Sequence, residues 1–264
     1  MLRYLEISWL MIRNSLIREM SFKGNFLLWI TVDLLWFVGQ LVFIEVLFES
    51  VDHIADWSKW EVILLFGTHQ IIAQIFQAFF YINIANLPEL VRTGRLDLML
   101  VLPIDAQFAV SSRQFGPDNL INALLGACVV GFSLAQLHAS PGPAAWILYA
   151  MAILFGVTVH YAIMFTFAVA SFWIMRAQGL IYGYFHLFNL ARYPAGIFPG
   201  VLRILLSSLI PVLLVTNVPA RALARSAQTP WEGLLALGGA TVFVVLASRL
   251  LWRRALRRYS SASS

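Results

Sequence analysis

The sequence has little charge, almost no lysine and a single cysteine, and each shortage excludes a class of protein. Only 12% of its 264 residues are charged, whereas 60% are hydrophobic and the mean hydropathy is +0.79. A soluble domain cannot bury that much apolar surface, so we expect an all-α integral membrane protein. Cys128 has no second cysteine with which to form a disulfide within the chain.

The scarcity of lysine also excludes an ATPase of the phosphate-binding-loop type. The GxxxxGK[ST] loop needs a lysine after its glycines, and neither Lys23 nor Lys59 has that context. The sequence has no HExxH or GxSxG motif, and its five histidines lie in separate segments. We therefore predict no catalytic residue, no metal site and no cofactor bound by this chain.

Apolar segments predict six transmembrane helices. Crossing the hydrocarbon core takes about 20 helical residues. Five segments approach or exceed that length, and one is shorter. The predicted spans cover residues 26–47, 62–82, 120–137, 145–173, 178–192 and 231–252.

The zone between the last two predicted spans is broken by prolines. Residues 194–220 are predicted to form a re-entrant hairpin, because irregular backbone at membrane depth must be shielded by protein. The residues that mark this zone are Tyr193, Pro194, Pro199, Pro211 and Pro219. The alternative is a cytoplasmic linker followed by a span over residues 200–218, which gives the same number of crossings.

Arginine placement predicts that both termini are cytoplasmic. Basic residues precede the first span, lie between the second and third, and follow the last, whereas the acidic loop 49–61 lies on the opposite side. Cytoplasmic loops carry an excess of basic residues, so the net charge of +5 reflects orientation rather than a nucleic-acid partner. If the hairpin lies on the outer side, the arginines that depart from this bias are Arg192, Arg203, Arg221 and Arg225.

The first 24 residues are predicted to form an amphipathic helix at the membrane interface. Their charged residues interrupt any apolar core, and no small-residue cleavage site follows, so they do not have the pattern of a signal peptide. One helical stripe is apolar. It consists of Leu5, Trp9, Ile12, Leu16 and Met20.

The first two spans each carry a polar stripe at helical spacing. The stripes consist of Trp29, Asp33, Trp36 and Gln40 on the first span and Gln70, Gln74 and Gln77 on the second. A carboxylate at the bilayer centre costs about 2.5–3.5 kcal/mol on insertion scales, so Asp33 is expected to face the bundle interior, a water-filled cavity or a partner. The stripes are candidates for a translocation path. Alternatively, the glutamines only hold packed helices together, or Asp33 lies near the cytoplasmic end.

A charged segment, NLPELVRTGRLDLMLVLPID at residues 86–105, separates the second and third spans. Pro88 suits a helix start, Glu89 complements the helix dipole, and Gly94 can end the helix. Arg92 and Arg95 offer forked donors to a protein partner. The segment is a candidate docking helix, and the alternative is a charged loop that obeys the positive-inside bias.

This order of elements resembles the ABC-2 type permeases of ATP-binding-cassette exporters, and two motifs fit one uncharacterised subgroup best. One is the cytoplasmic G-x-L-D-x-x-L-x-x-P motif of that family, which this chain resembles at Gly94, Leu96, Asp97, Leu100 and Pro103. A YP…P…NxPA motif is similar to Tyr193, Pro194, Pro211, Asn217, Pro219 and Ala220.

The resemblance implies a mechanism and a set of partners. The chain would pair with a second permease copy or a paralogue around a central path. The pair would lie in the plasma membrane, here the bacterial inner membrane, in contact with membrane lipids. A separate ABC ATPase subunit, in two copies, would bind ATP and magnesium. A coupling helix between residues 87 and 98 would dock on it, through Leu87, Pro88, Glu89, Leu90, Arg92, Gly94, Arg95, Leu96 and Asp97.

Export of an amphipathic or lipid-like substrate is the expected activity, because aromatic-rich spans suit such a cargo. Two alternatives come from other classes, an intramembrane enzyme and a non-transporting membrane scaffold. A channel is a third alternative, although the sequence has no repeated selectivity ring.

Overall fold

The structure is a computed structural model that describes residues 2–21, 23–174, 178–225 and 231–259. Met1 and Phe22 of the predicted interface helix lie outside these ranges, as do the side chains of Leu5 and Met20. The chain begins with α1 (Leu2–Ser21) and α2 (Lys23–Ser50). On α1, Trp9 is 65% exposed.

Nearly all of the described chain is helical. A two-residue hairpin, β1 (His53–Ile54) and β2 (Trp57–Ser58), joins α2 to α3 (Lys59–Phe76). The remaining helices are α4 (Ile82–Ala85), α5 (Leu87–Arg92), α6 (Asp97–Leu100), α7 (Ala106–Ser111), α8 (Pro117–Gln136), α9 (Pro143–Val169), α10 (Gln178–Asn189), α11 (Gly200–Ile204), α12 (Val212–Ala224) and α13 (Trp231–Arg258).

Five helical segments of the described chain are long and apolar enough to cross a membrane. They cover Leu27–Ser50, Lys59–Arg92, Pro117–Gln136, Pro143–Phe172 and Trp231–Arg258. The number rises to six if the bent pair Gly200–Leu209 and Val212–Ala224 forms one span. This content confirms an all-α integral membrane protein.

The second of these segments extends well beyond the predicted 62–82. The turn at Gln77–Tyr81 is π-helical, and α4 and α5 continue from it as far as Arg92. Two ends of the bundle can therefore be named: the Asp56 end, where α3 begins, and the Glu89 end, where the long helix stops. The charged segment is thus partly the end of a membrane helix and partly a connection.

Helix α10 is shorter than the five candidate spans. It has 12 residues, about 18 Å at 1.5 Å per residue, and a 3₁₀ turn at Leu190–Arg192 continues it. Another 3₁₀ turn at Ala195–Ile197 then leads to α11. The chain therefore covers the predicted short span with helix, but of less than the usual bilayer-spanning length.

The proline-rich zone is a sharply bent helix pair. A π-helical turn, Leu205–Leu209, ends α11, and α12 leaves at 87° to it after Ile210 and Pro211. Asn217 of α12 donates to the Tyr193 carbonyl at 3.2 Å and accepts from the Ala195 N–H at 2.9 Å. This asparagine therefore ties α12 to the irregular chain that follows α10.

The arginines that depart from the positive-inside bias are partly neutralised within the protein. At the Asp56 end, Arg225 bonds Asp56 at 2.8 Å and Glu61 at 2.8 Å, and Arg221 bonds Asp56 at 3.0 Å. Both guanidinium groups also lie 5.4 Å from the ring centroid of Trp57, which is fully buried. The acidic loop therefore serves as a counterion for α12.

Helix packing in the core depends on close approach at glycine. Helix α3 packs mainly on α8, and α9 packs on α12 and α13. At the crossing of α3 and α8, a Cβ on Gly67 would lie 3.0 Å from the Gly126 carbonyl oxygen. A side chain at position 67 would therefore require the neighbouring backbone to move by a few tenths of an ångström.

Candidate translocation path and coupling surface

A cavity of about 230 Å³ lies between α2, α3, α9 and α10 and is called the central cavity below. Five of the seven predicted path residues line it. They are Asp33, Trp36, Gln70, Gln74 and Gln77. Gln77 is the first residue of the π-helical turn, a widened helical geometry that occurs often at functional sites.

The other two predicted path residues line neighbouring cavities. Trp29 lies in a cavity of about 400 Å³, the Trp29 cavity, which shares Asp33 and Gln77 with the central cavity. Gln40 lies in a cavity of about 220 Å³, the Gln40 cavity, which shares Phe66 and Arg192 with it. The three cavities therefore form a series along α2.

The length of this series matches a membrane. The cavities are lined by α2 from Trp29 to Leu47, which is 47 − 29 = 18 residues or about 27 Å of helix. The hydrocarbon core of a bilayer is about 30 Å thick. The polar stripe borders this space from Trp29 to Gln40, and apolar side chains of α2 border it from Phe43 to Leu47.

Asp33 lies where the central cavity and the Trp29 cavity meet. Its Oδ2 accepts a hydrogen bond of 2.7 Å from Asn122 of α8, and Asp118 and Asn119 line the Trp29 cavity beside it. Asp33 stands 33 − 23 = 10 residues after the start of α2, about 15 Å along its axis. Its carboxylate therefore borders the bundle interior and the Trp29 cavity.

The central cavity also contains polar groups that the sequence did not identify as path residues. Arg192 donates from Nη1 to Gln40 at 3.2 Å, and His160 Nδ1 lies 2.6 Å from the Tyr184 hydroxyl. Four buried polar atoms of its lining have no hydrogen-bond partner among the described residues. They are His69 Nδ1, Gln74 Oε1, His160 Nε2 and Arg192 Nε.

These atoms bear on the alternative that the glutamines only hold helices together. Gln74 is 6% exposed, and its carbonyl oxygen bonds to no other helix in the described chain. Buried polar atoms in folded proteins are nearly always paired with protein or water. A cavity bordered by several unpaired atoms is therefore suited to hold water or a polar ligand.

The candidate coupling surface is anchored by leucines and presents arginines. Pro88 lies in the first turn of α5, and Gly94 ends that helix with a φ of 69°, which favours glycine. Leu87, Leu90 and Leu96 are buried. Arg92 and Arg95 are exposed, and Arg92 bonds Glu89 through two donors at 2.6 and 2.8 Å.

Exposed apolar residues lie at the end of the predicted docking helix and just beyond it. Leu98, in the short helix that also contains Asp97, is 69% exposed, and Val101 just after it is 83% exposed. Sequence reasoning did not separate them from the buried neighbours Leu96 and Met99. Arginines around exposed aliphatic side chains at the end of a bundle are typical of a protein-docking site.

The connection that follows is fixed to the transmembrane core. Asp105 caps α7 through the Phe108 N–H at 3.1 Å and pairs with Arg249 of α13, whose hydrogen bond holds the pKa of Asp105 below its ordinary value. Arg249 also donates to Gln107 at 2.7 Å, and Gln107 donates to Tyr161 of α9 at 2.9 Å. A displacement of this connection therefore acts directly on α9 and α13.

Among the described residues, His, Cys, Asp and Glu side chains form no group that could hold a metal ion. No curated protein and no solved structure matches the chain significantly. A family model described as ABC-2 family transporter protein matches residues 34–263. This range includes every residue that lines the three cavities except Trp29 and Asp33. With nearly the whole transmembrane bundle matched, the chain belongs to the ABC-2 family of transporter proteins.

Proposed function

We propose that this chain is the permease subunit of an ABC exporter and that it moves an amphipathic, lipid-like substrate along the three cavities. The observation that carries the proposal is the series of adjoining cavities along about 27 Å of α2, with polar side chains bordering it as far as Gln40. Its aromatic and polar lining suits a molecule with both an apolar and a polar part.

Energy for transport comes from a separate ATPase, because the sequence lacks a phosphate-binding loop. Two ATPase copies bind ATP and magnesium, and one of them docks on the surface that this chain forms with α5, α6 and Val101. Arg92 and Arg95 supply charge, and Leu98 supplies apolar contact. Closure of the ATPase pair then displaces the connection that Asp105 and Arg249 fix to the bundle.

A second permease copy or a paralogue closes the path on its open side. Helix α2 lines all three cavities, yet only 6% of the residues in its most apolar stretch are buried within this chain. A path wall that is covered on only one side needs another protein wall or lipid on the other. The chain lies in the bacterial inner membrane with both termini on its cytoplasmic side, in accord with the arginine bias.

The coupling surface gives the sharpest test of this function. Arg92→Glu with Arg95→Glu is expected to weaken capture of the ATPase at least tenfold, because charge-assisted hydrogen bonds to a partner contribute about 1.5–3 kcal/mol each. The matched control is Arg253→Glu with Arg257→Glu, two exposed arginines on α13. ATPase capture from membranes and ATP hydrolysis by the purified complex are measured for both.

The proposal predicts loss of ATPase capture in the first double variant and full capture in the control. Each variant must elute as the same monodisperse species as the wild type, which separates loss of docking from loss of folding. Equal capture and equal hydrolysis in all three proteins would show that this surface does not dock an ATPase.

A further inference from the structure

The central cavity contains a cationic group without a counterion. Arg192 lines it, and no described carboxylate lies within 4.0 Å of its guanidinium group. Its protein contacts are the neutral Gln40 amide at 3.2 Å and the Tyr193 ring, whose centroid is 5.2 Å away. A charge at membrane depth is costly unless it is paired or solvated, so Arg192 is suited to receive an anionic group.

The other end of the same cavity contains an anionic group without a counterion. Asp33 lines it, and its described polar contact is the neutral amide of Asn122 at 2.7 Å. No described Arg or Lys side chain lies within 4.0 Å of the carboxylate. Asp118, in the adjoining Trp29 cavity, adds a second carboxylate on that side.

The space between these charges combines aromatic rings with unpaired polar atoms. Trp36, Tyr184 and Phe185 line the cavity, and aromatic faces attract organic cations. Buried acceptors or donors at His69 and Gln74 lack partners. Asp33 and Gln40, the residue that Arg192 contacts, are 40 − 33 = 7 residues apart on α2, about 10 Å along its axis.

The geometry points to a binding site for a zwitterionic head group, with its anionic part at Arg192 and its cationic part among Asp33 and the aromatic rings. At about 230 Å³ the cavity is smaller than the pockets that enclose whole drug-sized ligands, so it holds a head group while the alkyl chain stays outside. Trp36, 67% exposed, marks the open side. The inference rests on the proposed function, because it names the cargo of that path.

The test is direct binding to the purified chain in dodecyl maltoside, whose sugar head group is neutral. Three probes have the same dodecyl chain: dodecylphosphocholine, dodecyl phosphate and dodecyltrimethylammonium. Native mass spectrometry measures the affinity of each. We expect dodecylphosphocholine to bind about tenfold or more tightly than either probe whose head group has charge of one sign only, because it alone engages both ends of the cavity.

Charge-neutralising variants identify each end of the site. Arg192→Gln should weaken dodecylphosphocholine and dodecyl phosphate about tenfold and leave dodecyltrimethylammonium unchanged, and Arg192→Lys should restore part of the loss. Asp33→Asn should weaken dodecylphosphocholine and dodecyltrimethylammonium and leave dodecyl phosphate unchanged. Controls are Arg203→Gln and Asp52→Asn, exposed residues outside this cavity.

Equal affinity for the three probes would overturn the inference, and so would binding that neither variant changes. Binding of dodecyl phosphate alone, insensitive to Asp33→Asn, would identify an anion site instead and would also overturn it. The measurement needs no ATPase. Failure of ATPase capture with head-group-selective binding would therefore count against the transport function and not against the site.

Discussion

Replacing Asn217 by leucine is expected to destabilise the bent helix pair. The asparagine is 5% exposed and forms two hydrogen bonds to the backbone, at 3.2 Å to Tyr193 and at 2.9 Å to Ala195. Leucine has the same branching and the same number of side-chain heavy atoms but leaves a carbonyl and an N–H unpaired. At roughly 1–3 kcal/mol for each unsatisfied buried group, the expected loss of stability is about 2–4 kcal/mol, allowing for partial hydration.

The assay is thermal unfolding in detergent, followed by size-exclusion chromatography after heating. Asn217→Asp retains the acceptor for Ala195 but places a carboxylate oxygen against the Tyr193 carbonyl at a buried position, so it should be destabilised at least as much as the leucine variant. Asn189→Leu, at an exposed position on α10, is the matched control and should melt like the wild type. Wild-type melting of Asn217→Leu would refute the role assigned to this asparagine.

Two further predictions concern packing and topology. Gly67→Ala should lower the melting temperature, because its Cβ would lie 3.0 Å from the Gly126 carbonyl oxygen and overpacking costs about 1–3 kcal/mol. Gly131→Ala, whose Cβ would meet no atom within 4 Å, should not lower it. Equal melting temperatures of the two variants would contradict the close helix crossing. In a Cys128→Ser background, a cysteine at exposed Asp52 should react with an impermeant thiol reagent on intact cells, and reaction only after lysis would reverse the orientation.

Hydropathy and helical periodicity predicted the membrane class and the polar stripe, because both depend on residues near each other in sequence. Asp33 and Trp36 recur at helical spacing on the first span, and Gln70 and Gln74 do so on the second. The structure places all four on one cavity. By contrast, the sequence did not predict that the long helix continues to Arg92. The charged residues were interpreted as the end of the predicted span, although the helical segment extends past them.

The remaining features depend on contacts between distant parts of the chain. Arg192 meets Gln40 across 152 positions, so its place in the cavity has no local signal. His160 lies within an apolar helix, and only folding brings it to Tyr184. Arg225 pairs with Asp56 across 169 positions, so the counterion of this arginine has no local signal in the sequence either.

The central claim is that the cavities along α2 form the translocation path, and blocking the central cavity tests it most directly. Ala73 lines that cavity, so a bulky thiol reagent attached to Ala73→Cys in a Cys128→Ser background should obstruct it. The same reagent on Gly131→Cys, an exposed position outside the cavity, is the control. The measurement is ATP hydrolysis by the reconstituted complex with and without dodecylphosphocholine. The account predicts that labelling at position 73 abolishes stimulation and labelling at position 131 does not, whereas full stimulation after complete labelling at position 73 would contradict it.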